Sequence, residues 1–169
     1  LKQNKPKAVE AFLKDAYNGS EQLVPGTRPS LVIFTITNTS GKGSNALSSS
    51  ASQPPMKPII SPFLGQSVED VAQHSVFHNA SFFAVLDERS ARDSTALLAD
   101  RDPDGNITPV RVTFSEAQRT LIALRVGSIG FTEIQSIAAA QGDEGVYGAP
   151  VLRSGPQKGG PAPRKRLGE

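Results

Sequence analysis

Phe82-Phe83-Ala84-Val85-Leu86-Asp87-Glu88-Arg89-Ser90-Ala91-Arg92-Asp93-Ser94-Thr95-Ala96-Leu97-Leu98-Ala99-Asp100 sets two short apolar runs on either side of a charged connection. Runs of this length, the first opened by two phenylalanines, suit strands better than helices. Residues 88–94 are too few for a parallel crossover, so the simplest pairing is an antiparallel hairpin. Its geometry separates the two carboxylates that end the runs. Asp87 opens the turn, whereas Asp100 lies at the far end of the return strand, roughly 15 Å away at about 3.4 Å per residue.

Strands are expected over 81–86, 95–99 and 109–114. Before them, residues 6–17 place Val9, Phe12, Leu13, Ala16 and Tyr17 on one helical face, with Pro6 suited to the first turn and Asn18-Gly19 to the stop. Leu31-Val32-Ile33-Phe34-Thr35-Ile36-Thr37 is β-branched and apolar on both faces, the pattern of a buried strand, central in its sheet. Ser67 with Asp70, Ser115 with Gln118 and Thr132 with Gln135 each have capping-box spacing. They predict helices from Val68 to about His74, through Ala117, Leu121, Ile122 and Leu124, and through Ile134, Ile137 and Ala138, the last ended by Gly142.

This order of elements predicts an α/β or α+β fold, a single compact domain with a few-stranded mixed sheet flanked by helices. The domain spans residues 1–149, with an exposed Ser/Pro-rich loop at 40–62 and a basic Pro/Gly-rich tail at 150–169. A chain of 169 residues suffices for one core. Hydrophobic content is only 37%, because apolar residues crowd into 31–36 and 68–146 and the flanks dilute them.

Cysteine is absent, which excludes disulfides, thiolate metal sites and cysteine nucleophiles together. The net charge of +2 conceals an uneven distribution. Residues 68–149 carry roughly −6 and the two flanks together roughly +8, an acidic body with basic arms. Lys2, Lys5, Lys7 and Lys14 at one end, and Lys158, Arg164, Lys165 and Arg166 at the other, suit either phosphate contact or plain solvation. No stretch approaches the length of a membrane span, and no segment resembles a signal peptide, so no membrane partner is expected and cytoplasmic and secreted locations both stay open.

The hairpin segment, followed by Val110-Arg111-Val112, Ile129-Gly130-Phe131-Thr132-Glu133-Ile134 and Asp143-Glu144-Gly145-Val146-Tyr147-Gly148, resembles an uncharacterised domain family of actinobacteria and basidiomycete fungi over about residues 68–149. That family carries no biochemical function of its own. More loosely, the cysteine-free basic chain resembles the mushroom ribotoxin-like proteins of the ageritin type. That resemblance implies a metal-dependent ribonuclease acting on ribosomal RNA. Its Arg-x-Asp-x-Asp pattern with a following histidine is incomplete, because Asp100 and Asp102 are present but Leu98 and Pro109 stand at the arginine and histidine places.

Cleavage by the ribose 2′-hydroxyl needs a base, an acid and positive charge near the phosphorane. Asp87 or Glu88 is the candidate base, His78 the acid, and Arg89 or Arg92 the charge. A charged turn between strands has this composition without any chemistry, too. Asp100, Asp102 and Asp104 are the candidate ligands for a divalent metal ion. Asp100 to Ile107 follows the first eight places of a calcium loop, but Arg111 occupies the twelfth, where a glutamate belongs, and the alternative is an Asp-Gly turn. His74 and His78, four apart, have metal-ligand spacing but read equally as a helix end. Gly41-Lys42-Gly43-Ser44 lacks the earlier glycine and following helix of a phosphate loop. Two functions follow as expectations: a ribotoxin-like endoribonuclease, or a non-catalytic interaction module.

Overall fold

The computed structural model describes residues 6–34, 50–58, 61–74, 81–102, 104–141 and 145–148. Its elements are α1 (Pro6–Leu23), α2 (Val68–Gln73), β1 (Phe82–Val85), α3 (Ser90–Asp93), β2 (Thr95–Arg101), β3 (Ile107–Thr113), α4 (Phe114–Arg125), α5 (Phe131–Ala140) and β4 (Val146–Tyr147). The strands form one sheet in the order β1-β2-β3-β4, the first two pairs antiparallel and the last parallel. Helices with a mixed four-stranded sheet make this an α+β arrangement. Of the predicted chain organisation, the helix and strand order is recovered around the hairpin. Thr35 to Thr37, residues 40–49, Gly142 and the tail at 150–169 lie outside the described residues.

The hairpin has the expected direction, with Phe82 opposite Asp100 and Val85 opposite Leu97. Side chains alternate across it as a strand requires. Ala96 and Leu98 of β2, with Val110 and Val112 of β3, face the main core. There they join Phe12 and Leu13 of α1, Phe114 and Ala117 of α4, and Phe131 and Ile134 of α5. Phe83 and Ala99 face the other way, onto Val71 and Ala72 of α2. The Phe12 and Phe114 rings meet edge to face, with centroids 5.2 Å apart, and tie α1 to α4.

Three local expectations need correction. First, α1 runs past Asn18-Gly19 to Leu23. A Cβ at Gly19 would lie 2.0 Å from the Ser115 carbonyl oxygen, so this glycine permits a close helix crossing and does not end the helix. The stop comes at Pro25-Gly26, where Gly26 has φ +87° and its N–H donates to the Glu21 carboxylate at 3.0 Å.

Second, Leu31 to Phe34 form no strand among the described residues. Ser52 N–H donates to the Leu31 carbonyl at 2.8 Å and Ser52 Oγ accepts from Ile33 N–H at 2.9 Å. The Tyr17 hydroxyl donates to the Ser52 carbonyl at 2.5 Å. The segment is therefore held by α1 and residues 50–58, without a sheet ladder. Third, only the Ser67–Asp70 capping box forms. The N-caps are Thr113 and Gly130, so α4 and α5 start at the buried rings of Phe114 and Phe131, two residues earlier than caps at Ser115 and Thr132 would place them. Gln118, freed from capping, accepts from Ser30 N–H at 3.0 Å, and Gln135 donates to the Pro109 carbonyl at 3.5 Å.

Candidate functional site

The charged connection folds into a closed corner. Ser90 N–H and Ser90 Oγ both donate to Asp87 Oδ1 at 2.9 Å, and Ser90 Oγ in turn accepts from Asp87 N–H at 3.0 Å. This reciprocal exchange fixes the entry to the single-turn helix α3. Arg111, two strands away on β3, reaches across β2. Its Nη1 donates to Asp87 Oδ1 at 3.3 Å and to Thr95 Oγ1 at 3.1 Å, and its Nη2 pairs with Asp87 Oδ2. The register makes this possible, because Arg111 lies opposite Leu97 and shares a face with Thr95.

Partial burial alone would raise the Asp87 carboxyl. Hydrogen bonds from Arg111 and Ser90 outweigh it and hold the carboxyl below its ordinary value. Arg89 and Arg92, the candidate positive charges of the turn, serve another group. Arg89 Nε donates to Asp93 Oδ2 at 2.5 Å and Arg92 Nε to Asp93 Oδ1 at 2.9 Å, which lowers the Asp93 carboxyl. Glu88 is exposed on the same turn. His78 lies outside the described residues. Of the candidate catalytic set, Asp87, Glu88, Arg89 and Arg92 are thus near in sequence, but Asp87 pairs with Arg111 and both turn arginines with Asp93.

At the opposite end of the hairpin, Asp102 accepts from Asn106 N–H and from Asn106 Nδ2, each at 2.8 Å, and Gly105 takes φ +88°. These bonds lower the Asp102 carboxyl. Asp100 is raised, by burial first and by its neighbour Asp102 second. Asp104 is exposed. A divalent cation needs several oxygen ligands converging on one point. Both Asp102 oxygens are turned to Asn106, and among the described residues no group of three or more His, Asp or Glu side chains converges to hold a metal ion. The candidate ligands Asp100, Asp102 and Asp104 do not fit that group, and the run forms the alternative Asp-Gly turn.

A large concavity lies beside the Asp87 corner. A cleft of about 2230 Å³ is walled by β1 with its flanking residues 81–88, by residues 30–34, by residues 61–66, and by parts of α1 and α4. Six large hydrophobic residues are exposed among those described. Four of them, Val32, Leu64, Ile122 and Val126, line this cleft. The concentration is informative because scattered exposed apolar residues are ordinary, whereas a shared apolar concavity marks a binding surface.

No family model, curated protein or solved structure matches this chain.

The sequence reading missed Arg111 and the cleft. Arg111 carries a visible signal, a lone charge between Val110 and Val112 that alternation assigns to the opposite sheet face from theirs. The cleft carries a weaker one. Leu31 to Phe34 is apolar on both faces, which fits a cleft wall as well as a central strand.

Proposed function

We propose that this domain is a non-catalytic binding module whose ligand occupies the cleft between β1, residues 30–34 and α4. The carrying observation is the gathering of Val32, Leu64, Ile122 and Val126 in one concavity. Burying apolar surface on a ligand yields about 25 cal/mol per Å², so four such side chains supply a useful fraction of a binding energy. The polar corner supports the same reading. Every buried side-chain nitrogen and oxygen atom among the described residues has a hydrogen-bond partner, so none of these groups waits for a substrate.

The endoribonuclease reading asks Asp87 to accept a proton near neutral pH. A general base works best with a pKa near the working pH, and the Asp87 carboxyl is held lower still than an ordinary carboxylate. Two assays separate the readings. Anilinonaphthalene sulfonate, an anionic dye that brightens in apolar surroundings, is expected to bind the intact protein. The double variant Ile122→Asn, Val126→Asn is expected to weaken that binding by about tenfold, equivalent to about 1.4 kcal/mol. Intact ribosomes incubated with the protein, with and without divalent cations, are expected to keep their RNA whole. A discrete RNA fragment that disappears with Asp87→Asn would overturn the proposal in favour of the nuclease.

A further inference from the structure

We infer that the cleft recognises a polypeptide segment in which apolar side chains are accompanied by acidic ones. This rests on the binding-module reading and adds the chemistry of the partner. Among the described residues, five charged ones line the cleft: Lys7, Asp87, Glu88, Arg92 and Arg125. Asp87 is neutralised by Arg111 and Arg92 is paired with Asp93. Glu88 is itself engaged in an interaction. Lys7 and Arg125 remain. Both are exposed, and neither takes a hydrogen-bond or ion-pair partner among the described residues. An apolar concavity whose lining carries two cations without a partner among the described residues favours a ligand carrying apolar surface and negative charge together.

Volume decides between a small amphiphile and a chain segment. Pockets for single small ligands run to about 1,000 Å³, and this cleft has about 2230 Å³. A polypeptide fills such a length and can present several side chains to separate parts of the wall. Residues 158–166 are a poor match, since Lys158, Arg164, Lys165 and Arg166 carry the same sign as Lys7 and Arg125. The occupant that fits these charges is an acidic segment of a partner protein.

The test uses the full chain and three short synthetic peptides in which leucine alternates with glutamate, serine or lysine, followed by fluorescence anisotropy at low salt. The glutamate peptide is expected to bind about tenfold more tightly than the lysine peptide, with the serine peptide between them. Added salt is expected to shrink that spread, because exposed charges are screened beyond about 10 Å at 0.1 M. The double variant Lys7→Glu, Arg125→Glu is expected to reverse the order. Lys14→Glu, which changes net charge equally per site but lies off the cleft lining, is expected to preserve it.

Equal affinity for the glutamate and lysine peptides, or a preference that Lys14→Glu removes as readily as the cleft variant, overturns the inference. So does displacement of the dye by a long-chain carboxylate with no competition from any peptide, which marks a small-amphiphile site. A dimer in sedimentation whose formation is blocked by Ile122→Asn also overturns it, in favour of a second copy as occupant. Dye binding that survives the Ile122→Asn, Val126→Asn double variant is a different failure, that of the binding-module reading itself.

Discussion

The Asp87 corner and the apolar cleft meet at the end of β1, and they treat their surroundings in opposite ways. In the corner, Asp87, Ser90, Thr95 and Arg111 turn their polar atoms on one another, across three strands' worth of chain. In the cleft, Val32, Leu64, Ile122 and Val126 leave apolar surface uncovered by the described chain. Charge density in the sequence drew attention to the first region. The second carries the stronger signature of binding, because satisfied polar groups report stability whereas concentrated exposed apolar area reports a partner.

The difference is open to mutation, and the largest effect belongs to the corner. Asp87→Ala strands Arg111, whose side chain is only 12% exposed, against a vacated site. Removing one partner of a fully buried ion pair costs about 3–5 kcal/mol. Asp87 keeps 32% side-chain exposure, so a loss nearer 2 kcal/mol is expected. Urea unfolding at neutral pH checks it. A variant of normal stability would dissolve the contrast.

Gly19→Ala comes next. The added Cβ meets the Ser115 backbone, which has no flexible end to move aside. Overpacking of this kind costs about 1–3 kcal/mol. Because α1 and α4 both wall the cleft, this variant is expected to weaken dye binding as well as lower the melting temperature. A fall in stability with unchanged dye affinity would show that the α1–α4 crossing does not shape the cleft.

Acid titration distinguishes the two carboxylates that end the hairpin's apolar runs. Asp87 has a folded-state pKa below its unfolded value, so its stabilisation is present in full above about pH 4 and is lost as pH falls through the depressed pKa. Asp100 has a raised folded-state pKa, so its ionised form opposes folding at neutral pH and the opposition is relieved as pH falls through that pKa. Asp87→Asn is therefore expected to destabilise at pH 7 and progressively less in acid. Asp100→Asn is expected to be neutral or stabilising by about 0.5 kcal/mol at pH 7, with the difference vanishing in acid. Denaturant midpoints across the acid range check both, and identical profiles would contradict the assignment.

The elements that carry the fold were legible where one periodicity dominated. The 3.6-residue spacing of Val9, Phe12, Leu13 and Ala16 announced α1, and the short connection at 88–94 announced the antiparallel hairpin. Hidden features depended on distant partners. Gly19 reads as a helix stop until Ser115 is placed beside it, and Gln118 reads as a capping residue until Ser30 is. Leu31 to Phe34 shows apolar faces without showing what they face. The site was less legible for the same reason, since the Arg111 that occupies Asp87 lies 24 residues away, and the cleft gathers residues from Lys7 to Val126.

The most direct measurement of the central claim follows the methyl groups of valine, leucine and isoleucine by NMR while anilinonaphthalene sulfonate is added. Leu23 and Val24 are the built-in comparison, since they are 60% and 58% exposed yet lie off the cleft lining. The account predicts saturable shifts at Val32, Leu64, Ile122 and Val126 with Leu23 and Val24 stationary. Shifts at Leu23 and Val24 that match or exceed those in the cleft would contradict it.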